Sequence, residues 1–220
     1  KKDISQLVIT ATLNASGLPT GAYTSVGSVA VPAGGVAGSS VEFQGSAYAD
    51  TITGSAGHDL IRGANGNDAL DGGAGNDVIE GGSGNDVING GQGDNQMFGG
   101  AGDDTITGDS GNEILDGGSG NDMMSGWSGN DTYYVDSASD QVIEYVGYGT
   151  DTVVSSISLD LGQLVYAATG YPNGAPSQIE NLTLVGGALN GTGNALNNVL
   201  TGNGAANILS GLAGNDTLNG

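Results

Sequence analysis

Large apolar residues recur at a nine-residue spacing through the middle of the chain: Ile52, Ile61, Leu70, Ile79, Ile88, Met97, Ile106, Leu115, Met124 and Tyr133. Small and polar residues separate them. Residues 45–134 divide without a gap into ten nonapeptides, of which 72–80 (GGAGNDVIE), 81–89 (GGSGNDVIN) and 117–125 (GGSGNDMMS) are clear copies. The apolar residue holds position 8. Positions 7 to 9 predict a very short strand in which position 8 points inward and its neighbours outward, by the two-residue period of a strand. One inward side chain per nonapeptide is too thin a core for a sandwich. Stacked over many turns it becomes a continuous ladder, so the pattern predicts a solenoid.

The polar positions are equally regular. Position 1 is Gly in all ten copies, and position 4 is Gly in nine, Tyr48 being the exception. Position 6 is Asp in eight, with Asn95 and Glu113 the departures. Glycines at positions 1, 2 and 4 are expected to take positive φ and to turn the chain tightly with its carbonyls facing inward.

This pattern resembles the RTX family, whose hemolysin-type calcium-binding nonapeptide reads GGxGxDxUx. The resemblance covers 45–134 strongly and 193–219 more weakly. It implies an all-β fold: a right-handed parallel β-roll in which two nonapeptides make one turn, turns line both edges, and repeats 18 residues apart are neighbours. It also implies one-step type I export of a chain that stays largely unfolded at submicromolar calcium. Outside the cell, millimolar calcium binds the folded form alone and stabilises it by mass action.

On that pairing the position-6 residues form two columns. One reads Asp50, Asp68, Asp86, Asp104, Asp122; the other reads Asp59, Asp77, Asn95, Glu113, Asp131. At the ~4.8 Å spacing of adjacent strands, two carboxylates repel by roughly 3.5 kcal/mol at an effective dielectric near 20. A divalent ion between them reverses the sign. Calcium accepts six to eight oxygens at about 2.3–2.6 Å, backbone carbonyls included, and twice that distance approaches the strand spacing. Magnesium demands shorter octahedral contacts and keeps its waters. Zinc prefers His or Cys, and the chain has one His, His58, and no Cys.

The expected carbonyl ligands are the position-4 glycines Gly66, Gly75, Gly84, Gly93, Gly102, Gly111, Gly120 and Gly129. The first column is complete, and up to four strong sites are expected there. In the second, Asn95 offers oxygen without charge, and Glu113 is one methylene longer and shares its turn with Asp109. Calcium on either side of Asn95 is therefore expected to be weak or missing. A plainer reading, in which these Asp residues only terminate turns, does not require Asp at position 6 of nearly every copy.

Charge fits this picture. Lys and Arg total 3 against 24 Asp and Glu, a formal net charge of −21. Such a chain will not hold nucleic acid or an anionic membrane without a bridging cation. The 44 glycines exceed ordinary usage, while 37% hydrophobic residues recurring in register exclude a merely disordered acidic tail. Without cysteine, disulfides cannot staple the fold. No apolar run approaches the ~20 residues needed to span a membrane. No signal peptide is visible at Lys1-Lys2, and the chain reads as a piece of something longer, since Gly220 opens another apparent repeat.

Four segments are expected. Residues 1–44 read as a β-rich cap or the end of a preceding domain, with strand-like runs at 6–13 (QLVITATL) and 28–31. Residues 45–134 are the main roll. Residues 135–192 are a strand-rich spacer that continues it with longer turns. Its candidate strands are 141–145, 150–155 and 178–185, and 163–178 (QLVYAATGYPNGAPSQ) is an insertion, either an exposed functional loop or a bulge. Residues 193–220 are a second, weaker block whose position-6 residues are Asn198, Asn207 and Asp216; only Asp216 carries charge, so calcium should be weak there.

No nucleophile–base constellation is present, and no enzyme is expected in this chain. A catalytic triad would have to use His58, which falls on a turn. Asp136, Asp140 and Glu144 in the spacer are the acidic residues best placed for glycoside chemistry, but acids of this kind cannot be told from calcium ligands in sequence. Two settings stay open: a cell-surface, S-layer or adhesin-type protein, or the noncatalytic calcium-binding tail of a secreted protease, lipase or alginate epimerase. The first is favoured by a Gly-rich, Lys-poor, Cys-free composition; other copies of the chain or surface polysaccharide would be its partners. Position 3 (Ala56, Asn65, Ala74, Ser83, Gln92, Ala101, Ser110, Ser119, Ser128) lacks the regular Thr row of ice-binding rolls. Trp127, beside Tyr133 and Tyr134, either stacks on a sugar or marks the end of the regular array.

Overall fold

The computed structural model describes residues 40–144, 148–164 and 177–220, together with the backbone of the strands Tyr23–Thr24 and Ser28–Ala30. The strand run 6–13 and residues 165–176 of the insertion lie outside the described residues. The architecture is a parallel β-solenoid with almost no helix.

Alternate nonapeptides feed opposite faces. Thr51–Thr53, Ala69–Asp71, Val87–Asn89, Thr105–Thr107 and Met123–Ser125 lie on one sheet. Leu60–Asn65, Val78–Ser83, Gln96–Ala101, Ile114–Ser119 and Thr132–Val135 lie on the other. The register is the expected 18 residues. Ile61 pairs with Ile79, Met97, Leu115 and Tyr133 in succession, and Ile52 with Leu70, Ile88, Ile106 and Met124. All ten position-8 side chains are buried at 2% exposure or less, facing one another across the roll. Burying each contributes roughly 1.5–3 kcal/mol against the unfolded chain.

The roll extends past the regular array at both ends. Glu42–Gln44 and Tyr23–Thr24 add rungs to the sheet of Ile61, and Ser28–Ala30 pairs with Thr51–Thr53 on the face of Ile52. Downstream, the longer sheet runs unbroken through the spacer while its step lengthens. Tyr133 pairs with Val153, Val153 with Leu182, Leu182 with Leu200, and Leu200 with Leu218. The opposite face stops at Gln141–Ile143, and a separate three-stranded sheet of Leu159–Asp160, Asn190–Thr192 and Ile208–Ser210 follows. Arg62 bridges Glu42 and Glu80 at 2.6 and 3.0 Å on the outer face, a cross-strand contact worth at most about 1 kcal/mol at that exposure.

The glycines divide into two kinds, which corrects the expectation of positive φ at position 1. Positive φ occurs at positions 2 and 4. Ala64, Trp127 and Leu212 keep it at position 2 without being glycine, at φ 86, 70 and 67. Position 1 is glycine for space instead: a β-carbon on Gly81 would collide with Asp86 Oδ2 and sit 2.6 Å from the Gly99 carbonyl oxygen. Position 4 is restricted twice over. Gly84 has φ 130, and a β-carbon there would run into the Gly66 carbonyl. Gly84→Ala is therefore expected to cost on the order of 3 kcal/mol, measured as a lowered thermal midpoint in saturating calcium. An unchanged midpoint would refute the turn geometry.

Candidate metal centre

Each position-6 residue stands at the end of a turn, just before a strand whose position-8 side chain is anchored in the core. Strand register therefore stacks the acids. They are linked by a one-way chain of hydrogen bonds. The backbone N–H of Asp50 donates to Asp68 Oδ1 at 2.7 Å, Asp68 to Asp86 at 2.8 Å, Asp86 to Asp104 at 2.7 Å, and Asp104 to Asp122 at 2.9 Å. On the other edge Asp59 donates to Asp77 at 2.7 Å, Asp77 to Asn95 at 2.9 Å, and Glu113 to Asp131 at 2.8 Å.

The second carboxylate oxygen tells more. Oδ2 of Asp68, Asp86, Asp104 and Asp122 in the first column, and of Asp77 and Asp131 in the second, is buried with no hydrogen-bond donor. A buried ionised oxygen without a partner is costly. Burial first, and neighbouring carboxylates second, push Asp77, Asp86 and Asp122 up to about 6. Asp68 and Asp104 are raised for the same leading reason. At the head of the columns the need is met locally: Ser46 N–H donates to Asp50 Oδ2 at 2.6 Å, and Ser55 N–H donates to Asp59 Oδ2.

Against this geometry stands a sequence match to the family described as the RTX calcium-binding nonapeptide repeat, in four copies at residues 44–79, 71–106, 107–142 and 192–220. The chain belongs to that family. Neither a curated protein nor a solved structure matches it.

The RTX donor set here fits calcium on physical grounds. It is all oxygen, buried and short of donors. His58, the one candidate nitrogen, is engaged, its Nδ1 accepting the Asn76 N–H at 2.9 Å. The turn of Asn95 shows where the carbonyls face. Asn95 Nδ2 donates to Gly91 O at 3.2 Å and Gly93 O at 3.0 Å, so both carbonyls converge on the position-6 side chain. An amide supplies there the positive end that an Asp turn must obtain from outside. Asn198 and Asn207 also use their amides, but toward the preceding turn, donating to the Glu180 and Ala188 carbonyls at 3.1 Å each. Asp216 Oδ1 accepts the Asn198 N–H at 2.9 Å and continues the column.

Glu113 is the discordant member. Both its oxygens are buried without a donor, and burial together with Asp131 pushes its carboxyl well above the usual range. Asp94 and Asp109 add to that pressure. The charge absent at Asn95 thus reappears one residue earlier, at Asp94.

Sequence reading missed three members of the columns. Asp140 Oδ1 accepts the Asp122 N–H at 3.2 Å, Asp151 Oδ1 accepts that of Asp131 at 2.9 Å, and Glu180 Oε2 accepts that of Asp151 at 2.9 Å. Asp140 therefore belongs to the first column, with the Asp136 N–H donating to its Oδ2 at 3.2 Å, while Glu144 lies with Asp131 and Asp151 on the opposite edge. Also missed was an outer ladder at position 5. Asn67 Oδ1 accepts the Asn85 N–H, Asn85 that of Asp103, and Asp103 that of Asn121, with an equivalent run from His58 through Asn76, Asp94, Asn112 and Asn130 to Thr150. The repetition of Asn or Asp at position 5 was the available signal.

Proposed function

We propose that this chain is a calcium-ordered module that folds outside the cell, with ions held between successive position-6 carboxylates and the carbonyls of the turns. The observation that carries this reading is the set of six aspartates whose Oδ2 is buried and lacks any donor. The ligands would be Asp68, Asp86, Asp104 and Asp122 on one edge, with Asp50 closing the first turn. On the other edge they would be Asp59, Asp77, Glu113 and Asp131. The carbonyls of Gly66, Gly75, Gly84, Gly102, Gly111, Gly120 and Gly129 would complete the shells. The Asn95 turn, with the Gly93 carbonyl already engaged, would hold an ion weakly or not at all, and Asp216 would bind weakly.

The setting we favour is a cell-surface, S-layer or adhesin-type protein, in which calcium gives a Cys-free chain the rigidity that disulfides supply elsewhere. Composition supports it, with 44 Gly and 3 Lys and Arg. The test is circular dichroism of the 220-residue chain in chelator and in millimolar calcium, with ion counting by calorimetry. Coil in chelator, β-structure in calcium and several bound ions are expected. Equal β-content in both would defeat the folding switch.

A further inference from the structure

The repeat ends at an irregular turn. After Tyr134 the position-1 glycines give way to Val135 and then Glu144. Because Ser125 pairs with Ile143, Glu144 stacks on Gly126. Position 1 is otherwise glycine because a side chain there would enter the space beside the position-6 carboxylate. A β-carbon on Gly126 would touch Asp131 Oδ2 and lie 2.6 Å from the Tyr133 hydroxyl. In the next turn that space receives a carboxylate.

Tyr133 departs from the rule in concert. It is the aromatic residue among the ten position-8 side chains, the others being aliphatic or thioether, and it is fully buried. Its hydroxyl accepts the Gly126 N–H at 2.6 Å and donates to Glu144 Oε1. Earlier glycines on this edge, such as Gly90 and Gly108, give that N–H to a strand carbonyl instead. The hydroxyl therefore orients Glu144. The following acid, Asp151, arrives by a 20-residue step instead of 18 and still accepts the Asp131 N–H. One carboxylate oxygen from each of Asp131, Glu144 and Asp151 lies within 4.8 Å of the others. Asp131 Oδ2, in a residue 1% exposed, has no donor and borders the same space beside Gly126 as the Tyr133 hydroxyl.

We propose that Asp131, Glu144 and Asp151 form a cation site outside the nonapeptide rule, selective for calcium by size and all-oxygen character. Oxygens sharing one calcium ion stand at most about 5 Å apart, which the cluster satisfies. Two of the carboxylates are column members, and the third comes from the strand end of the opposite face. The ion would tie both faces together where the short sheet stops and the longer one continues. This site rests on the calcium-module reading and deepens it.

The test counts ions bound from calcium chloride, by calorimetry and equilibrium dialysis, in the full chain. Glu144→Gln should bind one ion fewer than wild type while reaching the same β-content in saturating calcium. Tyr133→Phe keeps all three carboxylates and should keep the count. An unchanged count and affinity in Glu144→Gln overturns the site. If Glu144→Gln does not fold, Glu144→Asp decides: folding recovered at higher calcium supports the site, and no folding at any calcium concentration overturns it. A wild-type chain that binds no calcium sinks module and site together, whereas several ions with none lost in Glu144→Gln sinks the site alone.

Discussion

Asp86→Ala is expected to lower the ratio of folded to unfolded chain about thirtyfold at a fixed calcium concentration, an effect of ~2 kcal/mol. The change leaves the Asp68 N–H buried without its acceptor, which stands at 2.8 Å. It also removes the Oδ2 that no donor satisfies. Asp86→Asn should behave differently. It keeps the acceptor for Asp68 and brings an amide that can donate to the Gly82 and Gly84 carbonyls, as Asn95 does to Gly91 and Gly93. In chelator Asp86→Asn should therefore hold more β-structure than wild type while binding fewer ions at saturation. Asn95→Asp should do the reverse, gaining calcium dependence and losing order in chelator. Calorimetry and circular dichroism across the three variants separate these outcomes. Identical behaviour of Asp86→Ala and Asp86→Asn would show that the amide does not replace the cation.

Acid is expected to stand in partly for calcium. In the cation-free fold, burial pushes Asp77, Asp86 and Asp122 from 3.8 up to about 6, and Asp151 to about 7. The folded chain then binds protons that the unfolded chain releases. These groups stabilise the cation-free fold fully below about pH 4 and cease to do so as pH climbs through 6 to 7. With chelator present, acidification from neutral pH to about 5 should increase β-content. In saturating calcium the dependence inverts, because protons compete for the same oxygens and ions are lost as pH falls. Far-ultraviolet circular dichroism against pH in the two buffers reads both arms. Loss of structure on acidifying the chelated protein would contradict the burial of these carboxylates.

The regular part of the fold was legible because one residue in nine does one job: position 8 from Ile52 to Tyr133 is inward, buried and paired at the distance the family resemblance implied. Legibility ended where the step changed. Nothing in the sequence around Asp151 or Glu180 declares that steps of 20 and 29 residues return each to the column of Asp131; only backbone pairing through Val153 and Leu182 does. Asn95 was read as an oxygen donor lacking charge. Its decisive atom is the amide nitrogen, because the neighbouring carbonyls converge on it. Position 1 was read as a conformational glycine, when the restriction is the volume beside the carboxylate.

The inner and outer ladders run in opposite senses. At position 6 the later turn supplies the acceptor, as Asp86 does for Asp68. At position 5 the earlier turn supplies it, as Asn67 does for Asn85. Each turn thus gives and receives on both sides, and only a turn of matching edge can replace it. Duplicating or deleting a single nonapeptide would send every downstream residue to the wrong flank, setting amide-bearing turns against carboxylates. Arrays of this kind can grow or shrink safely only in pairs of repeats, so the unit of inheritance is twice the unit of sequence similarity.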